Sequence, residues 1–226
     1  MVVMTRRAVS LVRWLVVLEI GIWRSLFLLL TRRVPGQGPG VQGFSYASAV
    51  APIMGAFIFV SVLELVVVHL LLPWETIRLV ADVLSIWGLL WMIGFLASMR
   101  VFPHLLDHHG LRVRHGTTAD ILIPWEAIAS VTARRGSVLT GRTVQVERTD
   151  GGAVVDVAVL KQTKVAVVLH RPTTVELPKG SEEITGLRFY ADDPRALVLR
   201  AREHLTDRRA GELSGVAAPL RGGGRR

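Results

Sequence analysis

Two unbroken apolar runs lie back to back in this chain, at residues 49–72 and 77–99. Each is longer than the roughly 20 residues a helix needs to cross the hydrocarbon core of a bilayer. Only Pro73, Trp74, Glu75 and Thr76 part them, so the pattern predicts a helical hairpin over residues 49–99. A third apolar stretch, residues 8–30, is broken by Arg13, Glu19 and Arg24. From residue 110 onward the period shortens to two. Val144 and Val146 alternate with Gln145 and Glu147, and eight such segments, rich in β-branched residues, recur between Gly110 and Ala191. Turn signals such as Asp150-Gly151-Gly152 and Pro178-Lys179-Gly180 separate them, which predicts β-strands. Asp192-Asp193-Pro194 then opens a helix, with a carboxylate to cap it and proline at its first position.

The chain thus divides into a membrane-associated helix (1–33), a Gly/Pro-rich linker (34–48), the hairpin (49–99), a soluble β domain with one C-terminal helix (100–206) and a basic tail (207–226) expected to be disordered. The predicted fold class is a helical membrane hairpin joined to an all-β barrel or sandwich closed by that helix. No internal repeat is present.

The first segment admits two placements. Its fourteen Val, Leu, Ile and Phe residues favour insertion by roughly 0.3–0.6 kcal/mol each, and its three charges oppose it by roughly 2.5–3.5 each. These nearly cancel. On a helical wheel Arg6, Arg13 and Arg24 fall within about 20° of one another. Such a stripe suits a helix lying in the headgroup layer, with Arg32 and Arg33 extending the contact with anionic lipid. Glu19 lies off the stripe, and a third span packed on the hairpin is the other placement.

Charge sets the expected orientation. Arg32 and Arg33 precede the first span and Arg100, Arg112 and Arg114 follow the second, whereas the turn offers only Arg78. The positive-inside rule then predicts a multi-pass protein of the cell (inner or plasma) membrane with both termini cytoplasmic. The whole chain carries a net +9, supplied by arginine apart from Lys161, Lys164 and Lys179. Mean hydropathy is +0.43. The absence of cysteine excludes disulfides, thiolate catalysis and thiolate-bound metals.

Candidate chemistry is sparse. Glu64 and Asp82 stand nine residues either side of Pro73, at similar depth in a hairpin, about 13 Å from the turn. Arg78 precedes Asp82 by one helical turn. Ionisable groups so deep are functional candidates. These three residues read as a polar clasp between helices or, alternatively, as a proton or ion relay. His104, Asp107, His108 and His109 form a second cluster. On a helix, His104 and His108 would present two imidazoles to one side, but no third ligand is identifiable, so the cluster reads as a polar juncture and no metal or cofactor is expected. No stacking aromatics accompany the basic tail, which argues against nucleic acid. No nucleophile elbow or metalloprotease spacing is present, so an enzyme is not expected.

The stretch GLRVRHGTTADILIPWEAIASVTARR, with Ile123-Pro124-Trp125-Glu126-Ala127-Ile128 inside it, resembles the opening of bacterial pleckstrin-homology-like domains. The closing DDPRALVLRAREHL is similar to their terminal helix. The resemblance implies a seven-stranded bent barrel capped by a helix, placed after a transmembrane pair and used for binding. The first hairpin turn, His115 to Asp120, lacks the cluster of Lys and Arg that phosphoinositide readers of that family carry. The function expected is a membrane-tethered scaffold or regulatory module that engages a protein partner, a second copy or the inner leaflet. The alternative is a subunit of a proton-coupled transporter.

Overall fold

The computed structural model describes residues 2–36, 38–178 and 180–216; of residues 2–14, 209 and 211–216 it describes the backbone only. Three long helices come from the apolar runs: α1 (Val2–Leu30), α2 (Ala51–Leu71) and α3 (Glu75–Val101). Pro52 sits in the first turn of α2, where its missing N–H has no intrahelical acceptor to lose. Helices α2 and α3 are long and apolar enough to cross a membrane. They also expose large apolar side chains from Ile53 to Trp87, as a lipid-facing surface would.

Beyond α3 the chain forms two sheets. The first is antiparallel: β1 (Gln42–Phe44), β2 (His104–Leu106), β3 (Gly110–His115) and β4 (Ala119–Pro124), in that spatial order. The second contains β5 (Ile128–Ser137), β6 (Val144–Thr149), β7 (Gly152–Val157), β8 (Gln162–Leu177) and β9 (Gly180–Phe189), ordered β5-β8-β9-β7-β6. Strands β7 and β9 pair in parallel, with Val155 beside Leu187, and the remaining pairs are antiparallel. One core joins both sheets, from Leu111, Ile121 and Ile123 to Val155, Val167, Leu187 and Phe189. Helix α4 (Pro194–Val216) closes it with Leu197 and Ala201.

Several sequence expectations change here. The class is α+β, but the sheets are not closed into a barrel. The segments KVAVVLH and TTVEL are one strand, β8, and not two. Pro172 falls within its register irregularity, between Val168 and Thr173, where a missing N–H removes no ladder bond. Residues 34–48 are more than a linker, because β1 lies among them and pairs with β2. Helix α4 continues through residues 207–216, placed above in a disordered tail. Arg208 explains part of this by reaching Glu126 in an ion pair. Residues 217–226 lie outside the described residues, as do the side chains of Arg6 and Arg13.

Helix α1 packs on α3 with a readable direction. Glu19 accepts a hydrogen bond from the Trp91 indole at 3.1 Å. Ile22 covers Gly94 so closely that a Cβ there would lie 2.6 Å from its methyl. Arg24 shares a groove with Phe102. Both numbers rise together, so α1 and α3 run parallel. The N-terminal end of α1 therefore points towards the α2–α3 turn, and its C-terminal end towards the β domain.

Candidate functional site

The two carboxylates of the apolar hairpin, Glu64 and Asp82, do not meet. Asp82 Oδ2 lies 2.7 Å from Nδ1 of His69, a residue absent from the sequence-based cluster. Glu64 is exposed on α2, and neither it nor Arg78 has an ion-pair partner among the described residues. Helix geometry accounts for this. Side chains lean towards the N-terminus of their own helix. In an antiparallel hairpin Asp82 leans towards the turn and Glu64 away from it, so equal spacing from Pro73 separates their head groups. His69, one helical turn nearer the loop than Glu64's level, leans down to meet Asp82. Asp82 Oδ1 is buried without a partner, and the pair lines a groove of about 370 Å³ with Leu65, Val66, Leu70 and Ile86.

The strongest constellation lies where the helices meet the sheets. Segment 34–50, which leads from α1 to α2, is fastened to the β domain along its length. The Pro35 carbonyl accepts from Arg114 Nη1 at 3.1 Å. Strand β1 pairs with β2. Tyr46 is fully buried, and its hydroxyl accepts from the Gly116 N–H at 2.5 Å. The Ser48 N–H donates to the Asp192 carboxylate at 3.2 Å. Asp193, the neighbour, caps α4 by accepting from the Ala196 N–H at 2.9 Å, so the two acidic residues divide between strap and helix.

Tyr46 packs against two histidines. The His104 ring stacks on it at 4.7 Å, and the His115 ring lies tilted to it at 5.5 Å. His104 is buried in β2, beyond the end of α3, so the helical pairing of His104 with His108 does not arise. Its Nε2–H donates to the Tyr190 carbonyl at 2.8 Å, and its Nδ1 accepts from the Arg114 N–H at 3.1 Å. Because a backbone N–H can only donate, those partners fix the neutral Nε2–H tautomer. Burial pushes His104 down from 6.5 to about 4, and burial does the same to His115. Burial also raises the Tyr46 phenol well above its usual value. His108 and His109 are exposed in the β2–β3 turn, which Asp107 organises by accepting from the His109 and Gly110 N–H groups at 2.8 and 3.0 Å. Among the described residues, no group of three or more potential ligands could hold a metal ion.

The arginines expected to contact lipid are scattered. Arg32 and Arg33 are exposed just beyond α1, and Arg24 faces the groove beside Thr117 and Asp120. On β3, Arg112 is held by both oxygens of Asp120, at 2.6 and 2.7 Å. Arg114 is buried, with its Nε 3.6 Å from the same carboxylate. The two arginines of the first hairpin thus share the single carboxylate of Asp120.

A second surface lies on the outer face of the five-stranded sheet. Arg134, His170, Arg171 and Arg188 surround a groove of about 470 Å³ floored by Val154, Ala166 and Val168. Arg188 is already committed to the buried Asp156, 2.5 Å away, whereas Arg134 and Arg171 have no ion-pair partner among the described residues. The Tyr46 joint was missed in the sequence because it lies in a Gly/Pro-rich stretch. Phe44 and Tyr46, two aromatics at strand spacing, were its one visible signal.

No protein family, curated protein or solved structure matches this chain.

Proposed function

We propose that this chain is a membrane-tethered binding module whose β domain is held at a fixed attitude to the bilayer. One observation carries the reading: residues on both sides of the spans, Tyr46 before α2 and His104 after α3, are built into the same buried stack. A domain on a flexible leash would leave those residues in linkers. The two sheets packed on one core and closed by the capped α4 suit a binding module, in keeping with the pleckstrin-homology-like resemblance. The groove around Arg134, His170 and Arg171 suits an acidic segment of a protein partner.

In this proposal α1 is a third span. Its parallel course beside α3 supports a topology with the N-terminal end of α1 outside and the β domain in the cytoplasm. That replaces the expectation that both termini share the cytoplasm. The chain lacks cysteine, so single cysteines at Thr5, Trp74 and Ser137 can each be probed with a membrane-impermeant thiol reagent. Labelling of the first two from outside, and of Ser137 only after lysis, is expected; protection of Thr5 with labelling of Trp74 would restore the interfacial placement. The binding function is tested by a photo-cross-linker at Val168, on the groove floor. A discrete adduct in native membranes that disappears with Arg134→Glu and Arg171→Glu is expected; an unchanged adduct pattern would remove the groove from the function.

A second reading, a proton-coupled membrane subunit, draws support from the His69–Asp82 pair in its apolar groove. It predicts that Asp82→Asn abolishes a proton-linked flux in proteoliposomes while leaving melting nearly unchanged.

A further inference from the structure

Two neighbouring turns of the β domain expose leucines. The β5–β6 loop, residues 138–143, carries Leu139, which is 99% exposed. The β7–β8 turn carries Leu160, 52% exposed. A hydrogen bond of 2.9 Å from the Val138 N–H to the Lys161 carbonyl ties one turn to the other. Leu160 and Lys161 both have positive φ, 48° and 62°. That geometry suits Asn-Gly, and a leucine in it is strained. The strain holds an apolar side chain out where folding gains nothing from it.

Position points to what covers these leucines. Val159, next to Leu160, shares a buried cluster with Met99, against which Val50 and Phe95 pack, near the ends of both membrane helices. Thr143, at the base of the loop, lines a cavity of about 270 Å³ with Ile22, Trp91 and Phe95. Both turns therefore start at the depth where the apolar run of α3 ends. The turns and the strand ends beside them carry Arg135, Arg142 and Lys161, with no Asp or Glu between residues 131 and 146 or between 157 and 175. Arg135 and Lys164 also border an open cleft of about 620 Å³ beside the turns.

We infer that Leu139 and Leu160 form a wedge that enters the headgroup layer of the leaflet facing the β domain, with Arg135, Arg142 and Lys161 on its anionic lipids. Exposed leucines ringed by cations at a membrane boundary are the composition of an interfacial anchor. The wedge and the Tyr46 joint then hold the domain at two separate points. The outer groove around His170 and Arg171 stays free for a partner. This inference rests on the membrane-tethered reading given above.

The test uses the full chain in lipid vesicles, with an environment-sensitive fluorophore on single cysteines at Leu139, Leu160 and, as controls, Leu199 on α4 and Phe59 on α2. Quenching by a nitroxide on the lipid headgroup or on the acyl chain reports depth. Phe59→Cys quenched by the acyl nitroxide verifies that the helices are inserted, independently of the wedge. The wedge predicts blue-shifted emission and headgroup quenching at Leu139 and Leu160, severalfold above Leu199, stronger in phosphatidylglycerol vesicles than in neutral ones. Arg142→Glu with Lys161→Glu is expected to reduce both signals. Emission at Leu139 equal to that at Leu199 in both lipids, with Phe59 quenched, overturns the inference. So does shielding at Leu139 that grows with protein density or needs an added cytosolic fraction, because the occupant is then a second copy or another protein.

Discussion

Acid should loosen the joint between helices and sheets, by an amount the structure sets. His104 is neutral in the fold, with its protonation moved from 6.5 to about 4 by burial. The groups facing it are Arg114 and His115, which push the same way, and Asp192, which opposes them. Between pH 6.5 and about 4 the unfolded chain binds a proton at this position that the folded chain refuses. Stability is therefore complete above pH 6.5 and declines as pH falls towards the folded value. At pH 4.5 linkage puts the loss from His104 alone at about 2.5 kcal/mol. Intrinsic-fluorescence melting of the detergent-solubilised protein from pH 7.5 to 4.5 measures it. His104→Gln keeps one hydrogen-bonding end and cannot titrate. It should melt lower at pH 7.5, by about 1–3 kcal/mol for lost bonds and packing, but with a flatter acid limb. A residual slope is expected from His115 and should shrink in the double variant with His115→Gln. Acid limbs of equal steepness in the wild type and His104→Gln would refute the argument.

Three further outcomes are expected. Gly94→Ala drives a methyl into Ile22 and should lower stability by about 1–3 kcal/mol; adding Ile22→Ala should recover part of this, and a neutral Gly94→Ala would mean that α1 does not pack here. The excised domain, residues 102–208, lacks β1 and Tyr46, so a synthetic peptide of residues 40–49 should bind it and protect it from proteolysis; equal binding by the Tyr46→Ala peptide would refute the buried stack. In the hairpin, a double-mutant cycle of His69→Gln and Asp82→Asn should give a coupling of about 0.5–1.5 kcal/mol, whereas Glu64→Gln should couple to neither; coupling between Glu64 and Asp82 in melting experiments would reinstate the clasp.

Runs of apolar residues and alternation were enough to place α2, α3, β3 to β7, the second half of β9 and the start of α4. Those features are local: twenty apolar residues in a row, period-two alternation, or Asp193 before Pro194 specify an element without its neighbours. The three-residue strands β1 and β2 were invisible, since three residues cannot show a period and Gly40 and Gly43 mask Phe44 and Tyr46. Only the fold brings residue 44 to residue 104, and with it the stack of Tyr46, His104 and His115. The direction of α1 was equally undecided. Its apolar gain and charge penalty nearly cancel, and it is the Gly94 notch under Ile22, with the Trp91 indole on Glu19, that sets α1 parallel to α3. The hairpin shows the same division. Spacing from Pro73 put Glu64 and Asp82 at one depth, but side-chain lean, a property of helices already packed antiparallel, gave Asp82 to His69. Sequence alone determined which segments bury apolar surface; the tertiary structure decided which polar groups face one another, because that depends on register and tilt between elements distant in the chain.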